Sequence, residues 1–205
     1  MDKKDNNEYD IKFIILSLIF CTSSILLNIY CMKVLAVKTF VVGDCGIVVS
    51  WIIFLTNNLL TKNYGEKNTI KVIKVSNCIG FVVPVVSYLL TLLPVPADYQ
   101  EASDAFSMIF SSSIRVITAS SIAYFIGNVF YTKMVSKNKN NISVSMLGQL
   151  IDNFIFAILA FAPIHLSQYE MRIIDIIKSS IFGAVVESIL ERIFLFFIYR
   201  SNKIK

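Results

Sequence analysis

Gly148-Gln149-Leu150-Ile151-Asp152-Asn153-Phe154-Ile155-Phe156 is the stretch whose reading decides the fold. It lies in an apolar run from Ile142 to His165, long enough for a helix to cross a hydrocarbon core of about 30 Å. Asp152 falls near the middle of that run. A carboxylate there costs roughly 2.5–3.5 kcal/mol on insertion scales, so it calls for a partner or a ligand. Gln149, Asp152 and Asn153 share one helix face by i, i+3 and i+4 spacing. Polar side chains also serve as glue between membrane helices, so the spacing alone fits either a packing contact or a site.

The rest of the chain has the same character. Of its 205 residues 56% are hydrophobic and 16% charged, with a mean hydropathy of +0.68. Soluble domains carry more charge and do not gather their apolar residues into long blocks. Six such blocks can be marked: Phe13–Met32, Phe40–Leu60, Ile70–Leu93, Phe106–Met134, Ile142–His165 and Ile173–Tyr199. They lack the alternation of membrane β-strands, which leaves helices as the way to satisfy the backbone in lipid. The expectation is an all-α integral membrane protein, a six-helix transmembrane bundle forming a single domain over residues 1–205. The first block is too long for a signal-peptide core and has no small-residue cleavage site, so it reads as a retained span. Pro84 and Pro163 fall inside blocks and predict kinks.

The formal charge of +5 does not point to nucleic acid, because the lysines cluster at the ends of apolar blocks. Lys3, Lys4, Lys12, Lys62, Lys67, Lys71, Lys74, Lys133, Lys137, Lys139, Arg200, Lys203 and Lys205 fall on one side of a six-span arrangement. Lys33, Lys38, Arg172 and Lys178 fall on the other, where the third loop carries only Asp98, Glu101 and Asp104. This asymmetry predicts that both termini are cytoplasmic. Cys21, Cys31, Cys45 and Cys78 form no CxxC pair and read as buried, reduced thiols. With one histidine and no cysteine cluster, no metal set is expected. No P-loop, Rossmann fingerprint, GxSxG or HExxH occurs, so an enzyme is not expected. His165 reads as an interfacial residue rather than a ligand.

Other polar groups lie within the blocks. Arg115 is either an arginine that snorkels to the interface or a cation facing a cavity; a pair with Asp152 would neutralise both charges. Thr118 and Ser121 share its side, whereas Tyr124 winds away from it. Glu187 and Glu191 stand one turn apart in the last block, and Glu187, the deeper acid, is a candidate proton carrier, ligand acceptor or member of a structural ion pair. Asn57 and Asn58 fit helix–helix glue or a site, and Asp44 fits a solvated or capping role.

These residues carry a resemblance. Arg115-Val-Ile-Thr-Ala-Ser120-Ser-Ile-Ala-Tyr124-Phe-Ile-Gly127-Asn128 resembles the signature span of the VUT, or YhhQ-like, family of queuosine precursor transporters. So do Gly148-Gln149-Leu-Ile-Asp152 with Ala160-Phe161, and Asn58-Leu-Leu-Thr-Lys-Asn-Tyr64-Gly65 after the second block. The resemblance implies import of 7-deazaguanine bases (7-cyano-7-deazaguanine, its aminomethyl form or queuine) for tRNA modification, through the plasma membrane of a bacterium. It implies that Arg115, Gln149 and Asp152 belong to the substrate site. Tyr124, Asn128, Asn58 and Glu187 are further candidate substrate-binding residues. The family usually has an aspartate at the position of Asn58, a glutamine at that of Asn128 and an aspartate at that of Tyr131. A lysine expected in the last span is missing, while Glu187 and Glu191 appear there.

The chemistry of such a ligand fits the polar inventory. A carboxylate accepts side-by-side N–H groups in bidentate fashion, as from the ring N1–H and exocyclic amine of a deazaguanine. Gln149 or Arg115 could donate to its carbonyl, and Tyr124 or Phe156 could stack on its face. The expected partners are therefore a small 7-deazapurine and the lipid bilayer, with no nucleic acid and no cofactor; a homodimer is compatible with the sequence. The alternative is a transporter, or a substrate-binding subunit with a separate energising partner, for another vitamin-like or purine-like heterocycle.

Overall fold

A computed structural model describes residues 3–31, 33–37, 40–111, 114–137, 141–163 and 171–202. His165 and the predicted block ends at Met32 and His165 lie outside those residues. The order of elements is α1 (Lys3–Tyr30), β1 (Val34–Val37), β2 (Phe40–Asp44), α2 (Ile47–Leu90), a 3-10 turn (Ala97–Tyr99), α3 (Gln100–Ser111), α4 (Ile114–Ser136), α5 (Ile142–Phe161) and α6 (Ile173–Asn202).

The elements differ from the predicted blocks in three places. First, the second block starts as a strand: β1 and β2 pair antiparallel, with Val34 opposite Asp44 and Val37 opposite Phe40, and the helix begins at Ile47 instead of Phe40. The β-branched Val34, Val37, Val41 and Val42 suit a strand, and Gly43, the last residue but one of β2, has a φ of 148° that side chains disfavour. Second, the second and third blocks belong to one 44-residue helix, α2, broken only at Gly65, whose φ of 80° and ψ of 166° are open to glycine. Third, Phe106 belongs to α3 while α4 begins at Ile114. Pro163 does not kink α5. The helix ends at Phe161 and Ala162 turns extended at ψ 144°, as sterics require of a residue before proline.

Gly65 folds α2 back on itself. Leu27 of α1 packs against Gly46 at the start of the first arm. Its neighbour Asn28 donates from Nδ2 to the carbonyl of Gly80 in the second arm at 2.7 Å. At the other end of α1, the rings of Phe13 and Tyr64 meet at 5.0 Å. Both arms therefore run alongside α1 in opposite directions. α4 and α5 pack antiparallel, Gly127 against Asp152 and Tyr131 against Gly148, and α5 and α6 likewise, Asn153 against Gly183. Among the described residues, α1, the two arms of α2, α4, α5 and α6 thus pack side by side. Tyr199 near the end of α6 reaches Asn58 at 3.4 Å, so α6 finishes at the Gly65 end, where α1 begins.

The bundle is apolar outside and polar within. Ile14, Leu18, Val82, Leu89, Phe196 and Phe197 are exposed, while Asn57, Asn58, Asn128, Gln149, Glu187 and Glu191 are buried. Water would enforce the reverse, and lipid does not. Among the described residues, Ile11–Tyr30, Ile47–Leu90 and Ile142–Phe161 are long and apolar enough to cross a membrane. All four cysteines are free, but only Cys31 is buried, and Cys78 is exposed on α2, which corrects the expectation of four buried thiols.

Gly65 carries the fold-back, so Gly65→Ala should lower stability by about 1–3 kcal/mol through backbone strain alone. Thermal unfolding in detergent checks this, and an unchanged Tm would mean that the turn accepts a side chain.

Candidate functional site

A cavity lies between the end of α1, the junction of β2 with α2, and the facing sides of α4, α5 and α6. The space between its lining atoms amounts to about 680 Å³ with its open mouth included. Asp44, Ser50, Asp152, Asn153, Phe156, Ser180 and Glu187 are in its wall. Two glycines bring the helices close enough to build it. A Cβ on Gly127 would stand 2.8 Å from the Cβ of Asp152, and one on Gly183 would stand 2.8 Å from Nδ2 of Asn153. Small residues of this kind let membrane helices approach backbone to backbone.

The carboxylates in the wall differ in how they are held. Glu187, 2% exposed, accepts from Ser50 Oγ and from Asn153 Nδ2, the latter at 3.0 Å. Both of its oxygens are thereby oriented. Asp152 is 7% exposed and faces the cavity without a hydrogen bond or ion pair to any described residue. Asp44 accepts from the Gly46 N–H at 2.6 Å, which closes a turn just before α2 without capping the helix, and it also borders the cavity. Burial pushes the Asp44 carboxyl up to about 6, against the pull of the Gly46 N–H. The Oγ of Ser180 is a buried hydroxyl without a partner among the described residues. Phe156 and Phe161 form an aromatic edge-to-face corner of the wall, with centroids 5.5 Å apart.

Of the seven residues expected at the site, the structure brings Asp152 and Glu187 together and disperses the rest. Arg115 does not pair with Asp152. Its Nε donates to the Leu159 carbonyl at 2.7 Å and its Nη2 to that of Ala162 at 2.9 Å. Gly127 is level with Asp152, and Arg115 lies 12 residues before it, about 18 Å along the helix at 1.5 Å per residue. The guanidinium instead satisfies the carbonyls left over at the end of α5, where a cation also complements the helix dipole. Tyr124 turns towards α1 and the second arm of α2, donating to Ser76 Oγ at 3.0 Å and packing on Phe20. Asn128 joins the helix–helix glue: Asn57 Nδ2 donates to its Oδ1 at 2.9 Å, and Thr132 donates to Asn57 Oδ1 at 2.9 Å.

Asn58 and Gln149 belong to a second polar network between the cavity and the Gly65 end. Its centre is Glu191, 0% exposed, which accepts from Tyr131 Oη at 2.5 Å, Ser145 Oγ at 2.6 Å and Gln149 Nε2 at 3.2 Å. Asn58 Nδ2 donates to Tyr131 Oη at 2.7 Å, and Arg192 Nη2 donates to Ser145 Oγ at 2.9 Å. The network ties α2, α4, α5 and α6 together beneath the cavity. Asp44, read as a solvated or capping residue, and the unremarked Ser50 and Ser180 are the wall residues that sequence reasoning passed over. Nothing in the spacing of Ser50 or Ser180 marks them; the Asp44 acid between Gly43 and Cys45 is the one visible signal.

A family model described as "putative vitamin uptake transporter" matches residues 44–201. No curated protein and no solved structure matches the chain.

Two outcomes follow from this geometry. Arg115→Ala should lower stability by about 1–2 kcal/mol while leaving ligand affinity at the cavity within about twofold, since its bonds go to backbone at the end of α5; thermal unfolding and calorimetry on one preparation separate the two. For Asp44, the unfolded chain ionises near pH 4, whereas the folded protein holds the proton to about pH 6. Wild type therefore loses stability relative to Asp44→Asn as pH rises from about 4 to about 6, and the gap levels off above that. A Tm difference that stayed constant across this range would show an ordinary carboxylate.

Proposed function

The chain belongs to the family described as putative vitamin uptake transporters, and from that premise we propose that it imports 7-deazaguanine precursors of queuosine across the plasma membrane of a bacterium. In this reading α1, the two arms of α2, α4, α5 and α6 are six crossings. The Gly65 end, with both chain ends, faces the cytoplasm. The cavity then opens to the outside, and the Glu191 network closes the path below it. The family is one of transporters and not of enzymes.

The observation that carries the reading is the cavity-facing carboxylate of Asp152, which has no partner among the described residues. An acceptor held without a partner in an apolar bundle is costly unless a ligand supplies the donors. The adjacent N–H groups of a deazaguanine supply two, and the Phe156–Phe161 corner gives its flat face an apolar wall. Binding then discriminates strongly, because an analogue lacking those donors leaves Asp152 unpaired. Glu187 is the second polar contact. Arg115, Tyr124, Asn128, Asn58 and Gln149 act through the framework that shapes the cavity. The family description favours a second reading with the same site, in which the cargo is another vitamin-like heterocycle with adjacent donors.

In a strain that needs an external precursor, Asp152→Ala should reduce queuosine in tRNA at least tenfold, with the variant present in the membrane at wild-type level. Undiminished queuosine would remove Asp152 from the site. Transport of a different heterocycle by a wild-type chain that restores no queuosine would favour the second reading.

A further inference from the structure

We infer that the cavity selects ligands bearing a positive charge, and so takes an aminomethyl-deazaguanine in preference to its neutral cyano counterpart. This rests on reading the cavity as the substrate site. Three carboxylates, those of Asp44, Asp152 and Glu187, share its wall, and among the described lining residues there is no lysine, arginine or histidine. The described cations near that end are turned elsewhere. Arg115 donates to the carbonyls of α5, and Arg172 pairs with Asp175 at 2.7 Å. Lys33 and Lys178 are exposed.

An acidic cluster alone would say little, but this one surrounds groups built to accept. Asp152 is more than nine-tenths buried, faces the cavity and has no hydrogen-bond partner among the described residues. Glu187 is fixed by Ser50 and Asn153, so that the amide next to Asp152 in the chain already donates to another acceptor. The Ser180 hydroxyl in the same wall has no partner among the described residues. The wall therefore presents three carboxyl groups and a hydroxyl, and no basic side chain among its described residues.

A ligand complements such a wall with N–H groups and positive charge, and charge-assisted hydrogen bonds are roughly twice as strong as neutral ones. The two deazaguanine precursors differ at one substituent. The ring donors satisfy Asp152 in either case. The protonated aminomethyl group brings three further N–H donors and a charge opposite to those of Glu187 and Asp44. A nitrile brings only an acceptor, whose lone pair faces carboxylate oxygens and leaves them unsatisfied. Like charges brought together in a low dielectric repel, and a bound cation relieves that repulsion while a neutral ligand does not.

The test is calorimetric binding to the purified full-length protein in lipid nanodiscs at pH 7. The ligands are aminomethyl- and cyano-7-deazaguanine and, as a second pair, an aminomethyl- and a cyano-substituted pyrimidine. The aminomethyl member should bind at least tenfold tighter in any pair that binds. Glu187→Gln should shrink that ratio at least threefold. Asp44→Asn should also shrink it, which keeps the test decisive if loss of the Ser50 and Asn153 contacts unfolds the Glu187 variant. Equal or tighter binding of the cyano member, or a ratio unchanged in both variants, would overturn the inference. Discrimination in the pyrimidine pair with silence in the deazaguanine pair would uphold charge selection and reject the deazaguanine cargo. Silence of both aminomethyl compounds would reject the two together.

Discussion

The cost of holding carboxylates inside an apolar bundle is the constraint on which this molecule turns. Asp152, Glu187 and Glu191 sit among packed helices whose outer faces are isoleucine, leucine, valine and phenylalanine. Each acid meets the cost differently. Glu191 is surrounded by the donors of Tyr131, Ser145 and Gln149. Glu187 receives one hydroxyl and one amide. Asp152 receives nothing from the described residues and faces open space. The donors around Glu191 hold it as part of the framework, although Gln149 Oε1 has no partner among the described residues, whereas Asp152 borders the cavity. The division between framework and site is thus written in hydrogen bonds.

The glycines and the polar networks work as one device. Gly127 and Gly183 bring α4 and α6 against α5 at the level of Asp152 and Asn153, and Gly148 admits the rings of Tyr131 and Phe54 one turn below. Close backbones leave short spans for side chains to bridge, so Asn57 reaches Asn128 and Tyr131 reaches Glu191 directly. Asn58 and Tyr131 come from different helices and both join the network around Glu191 on the last helix.

Much of this was legible in the chain itself. Long apolar blocks specify helices and lipid because an unpaired backbone group is intolerable in hydrocarbon, and this needs no knowledge of neighbours. The position of Asp152 within its block singled it out for the same reason. The face shared by Gln149, Asp152 and Asn153 was also legible, but the use of each was not. Gln149 bonds Glu191, Asn153 bonds Glu187 and Asp152 bonds neither, because a turn of helix moves each to a different neighbour. The strand pair before α2 was hidden by the apolar character of its valines, which suits a strand and a membrane helix alike.

The sequence by itself determined an apolar, helical, family-typed chain with an acid at the heart of its fifth block, since hydropathy and motif are properties of neighbours along the chain. The tertiary structure alone decided the partners. It sent Arg115 to the carbonyls of Leu159 and Ala162 and not to Asp152, turned Tyr124 away from the cavity, and placed Asp44, Ser50 and Glu187 from distant segments around one space. Helical spacing fixes which side chains share a face. Only the packing of one helix on another, set here by glycines and the fold-back at Gly65, fixes what that face meets.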